Sequence, residues 1–276
     1  MRRIYYSMKS IIEYQYGISV DKIEIEDNKY IVTSNNNKYI LKQIDINHIR
    51  LIESNLNDNR RYAIVKNINE EKYIIYNEKY YYLFKLDNRN NIDLFEINKN
   101  KAFDFNIENN IVNLWIHKND YMEKLMEDVN RDYIIETKDY YLGIAEQAIM
   151  IVNGLDLMSN KKVLCHRRIN KKEYRVPDNL TIDYKERDIG EYIKYLIFEE
   201  KEKIEEIEKK IDLLIKYKVN IILIIARILY PSEYFDLIDE YSTGKEIKKD
   251  LQHLLSREKY RHIIINYINK KRGKPL

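Results

Sequence analysis

The chain has 276 residues and a formal net charge of +3; 34% of its residues are charged and 45% are hydrophobic. This balance is typical of a soluble globular protein, and so small a net charge does not favour nucleic acid as a partner. The single cysteine, Cys165, excludes an internal disulfide and a cysteine-cluster metal site. No apolar run is close in length to the about 20 residues that a membrane-spanning helix needs, and no secretory signal is evident.

The first third of the chain predicts one helix followed by short β-rich segments. Ile4 to Tyr16 has helical spacing and ends at Gly17, a typical helix C-cap. Two β-rich segments flank Asn35-Asn36 and predict a hairpin, because asparagine tolerates the positive φ of tight turns. A second helix is predicted over Ile46–Asn57. The β-rich segments are Lys22–Glu26 ahead of the hairpin, Tyr30–Thr33 and Lys38–Ile44 within it, and Ala63–Asn67, Tyr73–Tyr76 and Tyr80–Leu86 after it.

The two segments of the hairpin and the three after it predict a first lobe over residues 1–86, with a five-stranded antiparallel sheet plus helix. Residues 87–276 predict a second, helical lobe that contains two short β-prone pieces, Lys162–Cys165 and Leu180–Tyr184. The apolar run Val219–Leu229 is expected to be buried. The helices predicted here are Ile107–His117, Tyr121–Val129, Lys138–Val152, a long helix over Glu191–Tyr217 with a break near Lys201, Glu233–Tyr241 with Ser232 as its N-cap, and Lys245–Asn269.

A set of short motifs stands in a definite order along the chain. The motifs are Tyr39-Ile40-Leu41-Lys42, Glu53 on the following helix, Leu164-Cys165-His166-Arg167-Arg168, Ile182-Asp183-Tyr184, Arg187-Asp188-Ile189-Gly190-Glu191-Tyr192 and Leu229-Tyr230-Pro231. Their order resembles the protein-kinase-like fold of aminoglycoside and choline phosphotransferases. Within that fold they are most similar to the bacterial spore-coat group of CotS type, and above all to its YutH-type branch. The resemblance implies an α+β, bilobal fold with a small antiparallel-sheet N-lobe and a mainly helical C-lobe.

The resemblance also implies roles for individual residues. Lys42 would contact nucleotide phosphates, Glu53 would pair with that lysine, Asp183 would bind a metal ion, and Asp188 would have a structural role in bracing the catalytic loop. The residues alone leave other roles open. Lys42 could be a surface lysine, Glu53 a solvated helix residue, and Asp183 the cap of a turn or of the next helix.

The loop that begins at His166 is degenerate, because active relatives have His-Gly-Asp there. The position of the general base falls on Arg168, whose guanidinium stays protonated and cannot accept a proton. The position of the metal-binding asparagine falls on Glu173, which could still offer oxygen ligands. Loss of general-base catalysis costs about 10²–10⁴ in rate. We therefore expect a pseudoenzyme that requires no cofactor and keeps at most a vestigial site for ATP and magnesium.

The resemblance implies an inert structural or assembly protein of the spore coat. It would be made in the cytoplasm of the mother cell and would bind other spore-coat proteins, with neither nucleic acid nor a membrane span involved. Two alternatives stay open. An active ATP-dependent phosphotransferase acting on a hydroxyl acceptor would need Glu173 or Asp178 as its base. A regulatory pseudokinase would bind nucleotide as a structural ligand.

Overall fold

The structure is a computed structural model that describes residues 2–26, 29–45, 49, 62–86, 110–127, 129, 131–157, 162–170, 179–216 and 219–272. The chain divides into two compact units, one of Met1–Asp93 with His166–Thr181 and one of Leu94–Cys165 with Ile182–Leu276. The helix predicted over Ile46–Asn57, apart from Ile49, lies outside the described residues, and so do Glu53, Glu173 and Asp178.

The first unit contains a helix and an antiparallel sheet. Helix α1 (Arg2–Tyr16) ends as predicted at Gly17, which has φ 62° and whose amide donates to the carbonyl of Glu13 over 3.1 Å. Buried residues of α1, including Met8 and Ile12, form a core with Leu41 of the sheet. The strands are β1 (Lys22–Glu26), β2 (Lys29–Ser34), β3 (Asn37–Gln43), β4 (Tyr62–Val65), β5 (Ile74–Tyr76) and β6 (Lys79–Leu86).

Within the described residues, the sheet has six strands in the order β1-β2-β3-β6-β4, and β5 also pairs with β6. Asn35 and Asn36, with φ 47° and 62°, form the predicted turn between β2 and β3. The prediction of five strands was one too few. Lys22–Glu26 pairs with β2 along its whole length, although its alternation of charged and apolar residues is a weak signal over only five positions.

The second unit is mainly helical. Its helices are α2 (Ile111–Glu127), α3 (Asp132–Asn153), α4 (Glu186–Phe198), α5 (Ile204–Ile215), α6 (Ile221–Leu229), α7 (Ser232–Ser242) and α8 (Lys248–Arg272). Two short strands, β7 (Lys162–His166) and β8 (Leu180–Tyr184), form a two-stranded sheet, of which His166, Leu180 and Thr181 are counted with the first unit. In the part of the chain that the structure describes, no helix is long and apolar enough to cross a membrane.

Several helix predictions need correction. Helix α3 starts at Asp132, six residues before the predicted Lys138. The two helices expected around Lys118-Asn119-Asp120 are one continuous helix, α2, because neither glycine nor proline interrupts the chain there. The long helix predicted from Glu191 starts earlier, at Glu186, whereas its predicted break near Lys201, which has φ 54°, is present and divides it into α4 and α5. Ser232 does not cap α7: Pro231 holds the N-cap position, and the Ser232 hydroxyl contacts Lys194 and Glu233 instead.

Candidate functional site

Lys42 lies near the end of β3 in the first unit, opposite Lys29 of β2 and Tyr82 of β6. Because side chains alternate along a strand, Lys42 shares a sheet face with Ile40, opposite the face on which Leu41 joins the core with α1. Lys29 is a buried lysine in register with Lys42, and no sequence motif distinguished it as a site residue. The nucleotide-binding roles of Lys42 and Glu53 stay predictions.

In the loop that follows β7, Asn179 binds the backbone of Arg168. The amide of Arg168 donates to Asn179 Oδ1 over 2.9 Å, and Asn179 Nδ2 donates to the carbonyl of Arg168 over 2.6 Å. The guanidinium of Arg168 donates to the carbonyl of Arg167 over 3.0 Å. His166, at the start of the loop, is buried. The backbone at the predicted base position is therefore fixed, and the side chain there is a hydrogen-bond donor.

In the second unit, Asp183 of β8 is enclosed by two arginines. Its Oδ1 accepts from Arg227 Nη2 at 2.6 Å and from the amide of Tyr184 at 2.7 Å, and its Oδ2 accepts from Arg187 Nη1 at 2.9 Å. The Asp183 side chain is only 13% exposed. Both carboxylate oxygens are thus bound to guanidinium groups, and little of the side chain is accessible to solvent. We call Asp183, Arg187 and Arg227 the arginine clamp.

The arginine clamp keeps Asp183 ionised. Burial by itself raises the pKa of this carboxyl, but the positive charges of Arg227 and Arg187 outweigh burial and hold the pKa below its usual range. Mg²⁺ prefers oxygen ligands, whereas this carboxylate is bound to two cations and a backbone amide. Among the described residues, no three His, Cys, Asp or Glu side chains cluster to hold a metal ion. The surroundings of Asp183 therefore do not fit the magnesium ion predicted for it.

Arg227 is held in place by neighbours on three elements. It is 3% exposed within α6, and its guanidinium carbon lies 5.1 Å from the centre of the Trp115 ring of α2. Trp115 in turn stacks on Tyr230, with ring centres 4.2 Å apart. On another side, the backbone of Gly190 in α4 packs directly against the Arg227 side chain. The arginine clamp is thus part of the packed interior of the helical unit.

Two other predicted residues lie beside the clamp. Asp188 is buried in the first turn of α4, and its bracing role stays a prediction. The thiol of Cys165 approaches the carbonyls of Asp183 and Tyr184, at 3.7 and 3.4 Å. Burial, and then the charges of Asp188 and Asp183, raise the pKa of this thiol well above its ordinary value. Cys165 is therefore a buried thiol whose ionised form is disfavoured.

A second buried cluster of charges was not predicted. Arg261 of α8 is fully buried, donates to the carbonyls of Ile228 and Leu229 over 2.7 and 3.0 Å, and pairs with Glu233 and Glu258. The remaining members are Lys194, which lies 3.1 Å from Glu191 and 3.3 Å from Glu233, and Tyr140 and Tyr141, which donate to Glu258 over 2.9 and 3.2 Å. This cluster connects α8 to α3, α4, α6 and α7.

The sequence did contain a signal for the clamp. Arg227 is the sole charged residue between Val219 and Leu229. A charged side chain in a buried apolar helix must be paired, since an unpaired buried charge is costly. That pattern predicts a buried acidic partner for Arg227, but it does not identify Asp183 as the partner.

The fold belongs to the class of kinase-like small-molecule phosphotransferases. An aminoglycoside phosphotransferase from Alicyclobacillus acidocaldarius superposes with a TM-score of 0.66 at 9% identity, covering 93% of this chain and 94% of that one. A spectinomycin phosphotransferase bound to AMP gives 0.60 at 13% identity, covering 95% and 97%. The choline kinase of Streptococcus pneumoniae gives 0.51 at 12% identity, covering 94% and 99%. These likenesses confirm the predicted fold class.

Residues 9–267 match the family described as "Spore coat putative kinase YutH", and the chain belongs to that family. The endospore coat-associated protein YutH of Bacillus subtilis is 24% identical over 135 residues, which are 42% of this chain and 39% of that protein. The aligned region thus spans about two fifths of that relative. The resemblance inferred from Cys165-His166, Arg187-Asp188 and Leu229-Tyr230-Pro231 is confirmed at the level of the family.

Proposed function

We propose that this chain is a kinase-like pseudoenzyme that acts as a structural or assembly protein of the spore coat. It is made in the mother-cell cytoplasm, moves to the coat and binds other coat proteins there. Membership of a spore-coat family supports the coat role. The observation that carries the inert half of the proposal is the arginine clamp, in which both oxygens of Asp183 are bound to guanidinium groups.

Phosphoryl transfer depends on positioning and on charge neutralisation by bound metal ions. A magnesium ion at Asp183 would have to displace Arg227 or Arg187 and would place a dication beside two guanidinium groups, which is electrostatically unfavourable. Arg227 is itself buried, so it cannot move aside into water without opening the helical core. The clamp therefore supports Asp183 as a structural anion in place of a metal ligand.

The second support is Arg168 at the position of the general base. A guanidinium has donors only, and this one donates to the carbonyl of Arg167. Loss of the base costs about 10²–10⁴ in rate, and loss of the metal ion adds to that cost. On this proposal the protein requires neither nucleotide nor magnesium, and whatever Lys42 binds is dispensable for the coat role.

This proposal is tested with fluorescent fusions of this chain, expressed in a sporulating Bacillus that lacks its own homologue of the protein. The wild-type fusion is expected on the forespore surface, and Lys42→Ala is expected to localise equally well. The matched control is Lys38→Ala, an exposed lysine on the same strand and the same sheet face. A wild-type fusion that stays dispersed in the mother cell would contradict the coat role. Loss of localisation in folded Lys42→Ala, but not in Lys38→Ala, would contradict the inert role.

A further inference from the structure

Strand β1 (Lys22–Glu26) lies at the edge of the sheet and, within the described residues, pairs with β2 alone. Its charged side chains are open to solvent, with Lys22 at 65% and Glu24 at 54% exposure. Ile25, on the opposite sheet face, is 53% exposed. A strand edge presents backbone N–H and C=O groups that can pair with a strand of another chain.

The charges of β1 are complementary to those of a second copy of the same strand. Lys22 and Glu24 share one sheet face and lie 2.7 Å apart within one copy. If two β1 strands pair antiparallel about a two-fold axis at Ile23, Lys22 of each copy lies opposite Glu24 of the other. This register places no like charges opposite each other.

The next register that keeps the same side chains on the same sheet face is less favourable. Moving the axis to Glu24 sets Lys22 opposite Glu26, but it brings the two Glu24 side chains together, and directly opposed like charges destabilise a sheet. Charged side chains usually guard an edge strand against pairing. The opposite signs along β1 instead attract a second copy, and of these two registers the one centred on Ile23 is favoured.

We propose that β1 is a self-association edge through which two copies of this chain join their sheets, with Lys22 and Glu24 of each copy exchanged across the two-fold axis. Five-residue strands bury less surface than a stable dimer needs, so the association is weak and depends on a high local concentration. This proposal goes beyond the coat role and does not depend on whether the kinase site is inert.

Sedimentation velocity over a concentration series tests the proposal, with exchanges of charge as probes. Lys22→Glu and Glu24→Lys are each expected to weaken the dimer about tenfold, because each turns two attractive cross-strand pairs into repulsive ones. The double exchange Lys22→Glu with Glu24→Lys restores both pairs, and the dissociation constant is expected to return to the wild-type value. Circular dichroism checks that these exposed substitutions leave the fold intact.

The matched control is the exposed pair of Lys66 and Glu70, 2.8 Å apart in the same unit, whose single and double exchanges are expected to change nothing. A wild-type chain that remains monomeric throughout the series would overturn the proposal. Single exchanges that leave the dissociation constant unchanged, or a double exchange that fails to restore it, would also overturn it.

Discussion

Gly190 of α4 lies so close to Arg227 of α6 that a Cβ atom at position 190 would stand 2.5 Å from the Cβ of Arg227. Contacts this short do not occur between real side chains, so only glycine fits at position 190 while Arg227 keeps its place. The absent side chain allows α4 and α6 to approach closely. It also leaves Arg227 in position to bind Asp183.

Gly190→Ala should therefore destabilise the protein by about 1–3 kcal/mol, the usual cost of overpacking an interior. The control is Gly143→Ala in α3, where an added Cβ meets no atom within 4 Å. That variant should be neutral, or more stable by about 0.4–1 kcal/mol, because alanine restricts the unfolded chain. Urea unfolding of the two variants provides the comparison, and equal losses of stability would contradict the close approach.

Asp183→Asn removes the negative charge of the arginine clamp while nearly preserving the shape of the side chain. It leaves Arg227 buried without a charged partner, so we expect a loss of about 3–5 kcal/mol in the free energy of unfolding. The control is Asp239→Asn, since the pair that Asp239 forms with Lys118 is partly exposed, and about 0–1 kcal/mol is expected there. If Asp183 served only to bind a metal ion, Asp183→Asn would cause no loss in the free energy of unfolding measured without metal.

The stability of the protein should fall in acid because of Asp183 and Glu233. Burial raises the pKa of Glu233 too, but Arg261 and Lys194 outweigh burial and lower it, as the arginines do for Asp183. The folded-state pKa values lie below the unfolded ones of about 3.9 and 4.3. The stabilisation is therefore complete above about pH 5 and disappears as the pH falls through the folded-state values.

Urea midpoints between neutral pH and pH 3 measure that dependence. The wild-type midpoint should fall towards the acid end, and Asp183→Asn and Glu233→Gln should each show a smaller fall. Parallel pH profiles for all three proteins would show that these two carboxyl groups do not contribute to the acid dependence.

Arg261→Met tests the second buried cluster. The substitution leaves Glu233 and Glu258 buried without the guanidinium that pairs with both, and a loss of about 3–5 kcal/mol is expected. Lys271→Met on the same helix is the control, because its pair with Asp212 is partly exposed and is expected to contribute about 0–1 kcal/mol. Thermal or urea unfolding that ranks the two variants in the opposite order would refute a structural role for the cluster.

Local signals in the sequence predicted most of the fold. Gly17 ends α1 and the Asn35-Asn36 turn forms the β2–β3 hairpin, because each depends on a few neighbouring residues whose preferred φ values are known. The failures are of another kind. Ser232 looked like an N-cap, yet its hydroxyl is used by Lys194, a residue 38 positions away in the chain.

The contacts inside the candidate site could not be predicted either, because they also join residues that are far apart in the chain. Asp183 and Arg227 are 44 positions apart, and only the packing of α6 against α4 brings them together. Arg168 lies in the loop after β7, and its support by Asn179 depends on how the chain returns to that loop. Sequence alone placed Arg168 at the expected position of the general base, whereas the two arginines that bind Asp183 became visible only in three dimensions.

The most direct measurement of the central claim is magnesium-dependent turnover of ATP, in the presence of choline or an aminoglycoside as hydroxyl acceptor. Wild type and Asp183→Asn should be compared at a temperature at which both are folded, with choline kinase as a positive control. If the arginine clamp has replaced the metal ion, neither protein will raise the rate of ADP release or of acceptor phosphorylation above the background rate measured without protein. Turnover by the wild type that Asp183→Asn abolishes would contradict the account.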